Sequence, residues 1–284
     1  NGKIQFDEFN LTGSLNQPMI DGRGSFDNAG FQVEYLQTKY VLNGDMRFEN
    51  KKIHFDDIQI KDEKGAAAKL YGDLKIQTLD EIIFNLQLES AKNFLVMNTQ
   101  KFDNEIFYGK LLLNDAVAYI SGDLNDIKVE AITAFAKGSV INLPITDEDE
   151  YGRPDYIVFE GEQAKGLTAE TGLQGFDITL TALATEELAV NMIFDERVGD
   201  IIRARGEGDL TLVIDETGTF SIIGDYGVTQ GDYLFTLQNL IGKKFTVREE
   251  GSLTWDGDPF GGIIDLKAVY PLYADISPLT GSEV

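Results

Sequence analysis

The sequence predicts an all-β protein built on an antiparallel sheet, with at most one or two short helices. Three observations support this fold class. Apolar and polar residues alternate along many short runs, which is the period of a strand with one wet face. Turn-forming residues separate these runs. Proline, which central strands exclude, occurs only 6 times among 284 residues.

The clearest alternating run is residues 80–89, in which Phe84, Leu86 and Leu88 share one face and polar residues share the other. Each such run is predicted to be an amphipathic strand, and its apolar face must be covered by a closed core or by a ligand. The other runs with this period are 210–214, 220–222, 233–237, 245–247, 253–255 and 264–270.

Short polar segments are predicted to turn the chain between strands. Residues 215–218 form the best candidate, because Gly218 can adopt the left-handed conformation that a tight hairpin needs. Residues 26–31, 49–53 and 62–65 have similar compositions. These segments predict hairpins, and therefore an antiparallel arrangement.

Helical patterns are weak. Residues 90–98 and 185–193 have mild helical character, and the second range also fits a strand. The long polar segment 146–155 interrupts the alternation and predicts an acidic loop or a disordered connection. It divides the chain into a part spanning 1–145 and a part spanning 156–284.

A unit of the form apolar-x-Gly-x-apolar recurs around Gly13, Gly44, Gly72, Gly109 and Gly122. In an extended chain each of these glycines faces the apolar side. Two interpretations stay open: the glycine leaves room for a ligand or an opposing backbone, or it marks a bend that coils the sheet. The two are compatible.

The composition excludes several classes of function. The chain has no Cys, so it has no disulfide, thiolate metal site or cysteine nucleophile. Its one His, His54, excludes a three-His zinc site. A net charge of −24 would repel nucleic acid and would oppose adsorption to an anionic membrane surface. No cofactor is expected.

No catalytic or metal-binding motif emerges from the remaining candidates. The segment from Asp147 to Gly152 echoes a calcium loop, but Val158 stands where its final Glu should be. Residues 205–209 contain the first two glycines of a dinucleotide-binding fingerprint, but the third Gly is missing. The pair Asp56 and Asp57 is unremarkable in a chain with 48 acidic residues. We predict no catalytic residue and no metal ligand.

The C-terminal third contains a long, specific order of motifs: Gly231-Asp-Tyr-Leu-Phe235, Lys244-Phe245, Gly251-Ser-Leu-Thr-Trp-Asp-Gly-Asp-Pro259 and Ile264-Asp-Leu-Lys-Ala-Val-Tyr270. This order resembles the C-terminal region of the TamB family, the translocation and assembly module of Gram-negative envelopes. Segments 13–22 and 94–109 resemble the same family less specifically.

The resemblance implies a β-taco, an elongated curled antiparallel sheet with an open hydrophobic groove. Residues 1–145 would form the N-terminal part of the groove and residues 156–284 the C-terminal part. The AsmA-like, bridge-like lipid transfer proteins to which TamB belongs imply a non-enzymatic conduit. It would carry phospholipid acyl chains across the periplasm and support outer-membrane protein assembly. The implied partners are an outer-membrane barrel protein of the TamA kind and the inner membrane, reached through an anchor outside this chain.

The resemblance and the alternating pattern together give a hypothetical lipid groove made of inward-facing apolar residues. Its predicted members are Phe84, Leu86, Leu88, Leu210, Leu212, Ile214, Phe220, Ile222, Phe235, Leu237, Leu253, Trp255, Ile264 and Leu266. For each residue, ordinary packing in a β-core is the competing interpretation.

Three alternatives to a lipid conduit stay open. The first is a β-rich interaction platform for outer-membrane protein assembly, without lipid transport, which would add a strand to a barrel protein. An exposed terminal strand near residues 263–270 would favour it. The second is a carbohydrate-active enzyme using two carboxylates. The third is a β-solenoid adhesin, which predicts a closed core and no groove.

Overall fold

The computed structural model describes residues 2–14, 17–78, 81–145, 175–195, 198–237 and 241–271. These residues form one curled sheet, which confirms the predicted all-β, elongated fold. Its strands are β1 Lys3–Ser14, β2 Gln17–Val33, β3 Thr38–Glu49, β4 Lys52–Asp62, β5 Ala67–Thr78, β6 Glu81–Ser90, β7 Phe94–Thr99, β8 Tyr108–Asp123, β9 Ile127–Phe135, β10 Ser139–Pro144, β11 Phe176–Ala184, β12 Leu188–Asp195, β13 Asp200–Ile214, β14 Phe220–Leu237, β15 Ile241–Val247, β16 Gly251–Gly257, β17 Ile263–Asp265 and β18 Ala268–Val269.

Strands β1 to β6 follow one another as an antiparallel meander. The register shifts once in each of the first four pairs, for example between Phe26 and Ala29 in β2. Each shift inserts a bulge that bends its strand and increases the local twist. The predicted turn at 26–31 is therefore wrong, because those residues form a bulge inside β2.

Three long strands divide the sheet into two facing layers. In β8, residues 117–123 pair with β6 while residues 109–113 pair with β7. Strands β13 and β14 bridge the layers in the same way. We call β1–β6, β9, β11, β16 and β17 the first layer, and β7, β10, β12, β15 and β18 the second.

The two parts of the chain meet along two pairs of parallel strands within the otherwise antiparallel sheet. Strand β9 pairs in parallel with β11, and β10 pairs in parallel with β12. Parallel neighbours cannot be joined by a tight turn and need a long connection. The connections from β9 to β11 and from β10 to β12 share the segment between β10 and β11, residues 145–175. This segment contains the predicted acidic loop at 146–155, which lies outside the described residues.

The weak helical patterns do not form helices. Residues 90–98 include the start of β7, and residues 185–193 include most of β12. In β12 every second residue from Leu188 to Met192 is apolar and buried, and in β7 the buried apolar residues are Phe94, Leu95 and Met97. Packing against the core therefore overrides helical propensity in both strands. The described residues contain one 3-10 helix, Glu34–Leu36. None of their helices is long and apolar enough to span a membrane.

Two predicted strands also differ in extent. The runs 220–222 and 233–237 belong to one 18-residue strand, β14. The run 264–270 is divided between β17, which pairs with β16, and β18, which pairs with β15. The start of this run therefore belongs to the first layer and its end to the second.

Candidate functional site

A row of apolar residues and glycines crosses the first layer at right angles to its strands. Each member is paired in register with the next, and paired residues lie on the same side of a sheet. At a strand spacing of about 4.8 Å, eleven strands place the ends of the row about 48 Å apart along the curved sheet. We call this the first row: Phe6, Gly24, Met46, Phe55, Gly72, Leu86, Ile120, Val129, Ile178, Ile214 and Phe220.

A parallel second row lies on the same face, because Leu86 and Leu88 are two residues apart in β6. Neither row contains a charged or hydrogen-bonding side chain. Together the rows form a continuous apolar inner face, interrupted only by glycine. The second row is Ile58, Leu70, Leu88, Ala118, Ala131, Leu180, Leu212 and Ile222.

The inner face is open in its middle and closed at its C-terminal end, while Met46, Phe55 and Ile58 nearer the N-terminus are buried in a smaller apolar cluster. Leu86, Ile120, Val129 and Ile178 are only half-buried. Phe220, by contrast, is buried in the main apolar cluster. The first row therefore passes from an open trough into an enclosed core.

The second layer covers the closed end. Side chains from both layers line a cavity of about 20 Å³ there, among them Ile141 and Leu188 from the second layer and Leu210 and Trp255 from β13 and β16. That volume holds about one water molecule. The interior is thus filled by protein side chains.

The amino-acid sequence that forms this geometry is matched by a family model. The model for the TamB C-terminal domain matches residues 56–283. The chain belongs to the TamB family. A search of curated proteins and a search of solved structures each found no match. The matched range includes the open trough, the closed end and the parallel junction between β9 and β11, so one TamB domain contains all three. TamB proteins are non-enzymatic transport and assembly modules that work with TamA.

Most predicted groove residues of this TamB domain lie on the inner face. Phe84, Leu86 and Leu88 are half-buried in the open trough. Leu212 is half-buried at the boundary and packs against the main cluster, as does Leu266. The members that the structure buries in the closed end are Leu210, Ile214, Phe220, Ile222, Leu253 and Trp255.

The other predicted members lie at the margins. Ile264 is paired with Leu253 but is 36% exposed, at the edge strand β17. Phe235 lies on the second-layer part of β14, and its ring centroid is 5.9 Å from that of Tyr233. The side chain of Leu237 lies outside the described part of the chain. The fold therefore brings neither Ile264 nor Phe235 into the rows.

Strand β1 adds inner-face residues that the sequence analysis missed. Ile4, Phe6, Phe9 and Leu11 are all exposed, at 53%, 55%, 41% and 61%. A bulge at Glu8, whose φ is 51°, moves Phe9 and Leu11 onto the face of Ile4 and Phe6. The signal was an alternating pattern that slips by one residue, which is the mark of a bulge.

The recurring glycines serve backbone packing rather than a ligand. Gly72 has a φ of 112°, a conformation that residues with a Cβ rarely adopt. A Cβ at Gly72 would overlap the carbonyl oxygen of Asn85 on the neighbouring strand. The space beside Gly72 is thus filled by the opposing backbone, which is part of the first of the two interpretations.

The polar candidates lie on the outer face. Asp56 forms an ion pair with Arg47 at 2.9 Å, and this hydrogen bond lowers the pKa of Asp56. Asp57 pairs with Lys69 at 3.0 Å. His54 is paired in register with Arg47 and is half-buried. Within the described ranges, no three His or acidic residues are grouped to hold a metal ion, and residues 147–158 lie outside those ranges.

Proposed function

We propose that this TamB domain conducts phospholipid through the envelope, with acyl chains lying on the apolar inner face. The observation that carries the proposal is the first row, which crosses eleven strands without a polar side chain. No catalytic step is part of the proposal. In this view, residues 1–145 and 156–284 are two parts of one groove.

The energetics favour such a surface. Exposing an acyl chain to water costs about 0.8 kcal/mol per CH₂, so two chains of roughly 15 carbons cost on the order of 20 kcal/mol or more. A continuous apolar face removes most of that cost at every position along the path. Movement along the rows needs no reactive group, because successive positions are chemically alike.

The open trough suits the acyl chain and leaves the headgroup in water. The half-buried residues Leu86, Leu88, Ile120 and Val129 offer apolar surface that no protein side chain fully covers. A charged headgroup would lose its hydration against such a face without gaining a partner. We infer that the headgroup projects from the open side while the chains lie against the rows.

The wider setting follows from family membership and is part of the proposal. The domain would act in the periplasm, in a protein that spans from the inner to the outer membrane. An inner-membrane anchor would hold one end of that protein. The other end of the protein would bind an outer-membrane barrel protein of the TamA kind. Lipid delivered there would support the assembly of outer-membrane proteins.

The test is a charge placed in the trough. Leu86→Arg should lower the amount of phospholipid that co-purifies with the protein by about tenfold or more. A bound acyl chain would remove water from the guanidinium, and the apolar face offers no hydrogen bonds to replace that water. Asn85→Arg is the matched control, since Asn85 is the exposed neighbour on the opposite face of β6. Mass spectrometry measures retained lipid, and circular dichroism checks the fold. Unchanged lipid in folded Leu86→Arg protein would refute the proposal.

A second candidate function is strand addition to a barrel protein, and it is favoured by β17. Among the described strands, β17 pairs only with β16, so its other edge has backbone groups available for a new strand. Ile263 is 68% exposed on this strand. This edge could serve assembly with or without lipid transport.

A further inference from the structure

Strand β7 forms an unusual border of the second layer. One of its edges pairs with β8, and no other strand in the described part of the chain pairs with β7. Its other edge lies against β3 and the 3-10 helix Glu34–Leu36. The two sides of this border are therefore not joined by a backbone ladder.

Side-chain hydrogen bonds join the border instead. The Tyr40 hydroxyl donates to the Leu95 carbonyl oxygen at 3.0 Å, and the Leu95 amide donates to Asp62 Oδ2 at 2.8 Å. At the far end of β7, Asn104 Nδ2 donates to the Tyr35 hydroxyl at 2.8 Å. We call this border, formed by β7 and Asn104 on one side and Tyr35, Tyr40 and Asp62 on the other, the β7 seam.

Apolar groups lie directly behind the β7 seam. Phe94 stacks on Tyr40 with ring centroids 5.5 Å apart and an interplanar angle of 16°. Phe94 and Tyr40 belong to a small cluster that also contacts Leu88 of the open trough. Val96 packs against both this small cluster and the main cluster of the closed end. The β7 seam thus borders a continuous apolar path from the trough to the interior.

The β7 seam is a border at which the layers can part with little loss of backbone bonding. Separating two laddered strands breaks a series of backbone hydrogen bonds at once, whereas opening this border breaks the few side-chain bonds described above. When it opens, the exposed surface is the apolar path through Phe94 and Val96. Such a surface is favourable to an acyl chain and unfavourable to water.

We propose that the β7 seam is a lateral port through which one acyl chain passes between the open trough and the closed interior. This rests on the proposed function in lipid conduction. The port explains how the inner-face residues buried in the closed end, such as Leu210 and Ile222, come into contact with lipid. In the closed state their surroundings are filled by protein.

The experiment compares a closed seam with a weakened one. In the double variant Tyr35→Cys with Asn104→Cys, a bismaleimide can cross-link the two sides of the β7 seam. The chain has no Cys of its own, so no other thiol reacts. Tyr35→Phe with Tyr40→Phe removes two hydroxyls and keeps both rings. The control for cross-linking is Tyr119→Cys with Glu130→Cys, exposed partners across the laddered β8–β9 pair. The control for hydroxyl loss is Tyr119→Phe.

Each protein is incubated with vesicles of phosphatidylethanolamine and phosphatidylglycerol that contain a phospholipid with a diazirine at the end of one chain. After illumination, peptide mapping locates the label in the trough, at β6, and in the interior, at β12. Cross-linking the seam should lower β12 labelling by about tenfold and leave β6 labelling unchanged. The Phe double variant should raise β12 labelling by a comparable factor, as expected from losing one or two neutral hydrogen bonds.

The outcomes separate the port from the function on which it rests. Equal labelling of β12 in the cross-linked and uncross-linked proteins would refute the port. Absence of label at β12 in every variant would also refute it. If β6 is labelled in either of these cases, the proposed lipid conduction remains supported although the port is refuted. Absence of label at β6 as well would overturn both. Hydrogen exchange of residues 94–99, faster in the Phe double variant than in Tyr119→Phe, confirms that the seam itself was weakened.

Discussion

Phe107 and Phe220 lie with their ring centroids 4.5 Å apart, and both are buried. Phe107 ends the loop between β7 and β8, whereas Phe220 begins β14. The contact therefore joins the two parts of the chain, and it holds the loop that follows β7 against the end of the first row. It is one of the contacts that turn a bent sheet into an enclosed core.

Removing the Phe107 ring should destabilise the fold. We expect Phe107→Ala to lower the free energy of unfolding by about 3–5 kcal/mol, the usual effect of truncating a buried Phe. Phe102→Ala is the matched control, because Phe102 lies in the same loop and is 85% exposed. Urea unfolding followed by circular dichroism measures both. Similar values for the two variants would contradict the enclosed packing of Phe107.

The conformation and surroundings of Gly72 should make it intolerant of a side chain. Gly72→Ala should lower the free energy of unfolding by more than about 2 kcal/mol, since it combines a left-handed φ with contact against the Asn85 carbonyl. Gly65 also has a positive φ, of 87°, but a Cβ at this position would have no other atom within 4 Å. Gly65→Ala should therefore cost only about 1–2 kcal/mol. Thermal unfolding measures the stability of both variants. An equal loss of unfolding free energy in the two would show that the steric contact at Gly72 is unimportant.

Tyr226 should make stability depend on pH at alkaline values. Its hydroxyl donates to the Leu188 carbonyl oxygen at 2.9 Å, and burial raises the pKa of Tyr226 to about 12. Because this pKa lies above the value of about 10 in the unfolded chain, the contribution of Tyr226 is complete below about pH 10 and is lost as pH rises towards 12.

Tyr226→Phe should therefore be less stable than the parent at about pH 8 by about 1–2 kcal/mol, and the difference should narrow by about pH 11. Urea unfolding at the two pH values measures this. Tyr119→Phe is the control, because Tyr119 is 53% exposed. A difference that does not change with pH would contradict the assigned pKa.

The exposed edge at β17 should matter for partner binding and not for lipid. Ile263→Asp should weaken binding to a barrel protein of the TamA kind by about tenfold, because it places a charge on the apolar edge where a strand would add. Co-purifying phospholipid should stay at the parental level. Surface plasmon resonance and lipid mass spectrometry measure the two quantities. Parental binding affinity would count against strand addition at β17.

Local sequence patterns predicted the strands well where one face is wet. The alternation through Phe84, Leu86 and Leu88 gives both the existence and the orientation of β6, because neighbouring side chains in a strand point to opposite faces. The pattern failed where a bulge shifts the phase, as at Glu8 in β1. It also failed at residues 90–98, where burial against the core determines the strand β7.

By itself, the sequence determined that the chain is all-β, that its strands each have one apolar side, and that it resembles TamB. Those properties depend on neighbouring residues and on the order of motifs. The tertiary structure alone decided which apolar residues lie in an open trough and which lie in a closed core. Leu86 and Leu210 have the same local pattern, but only Leu210 is buried in the main cluster. The physical reason is that burial of Leu210 depends on the second layer, which long bent strands bring over the C-terminal end of the sheet.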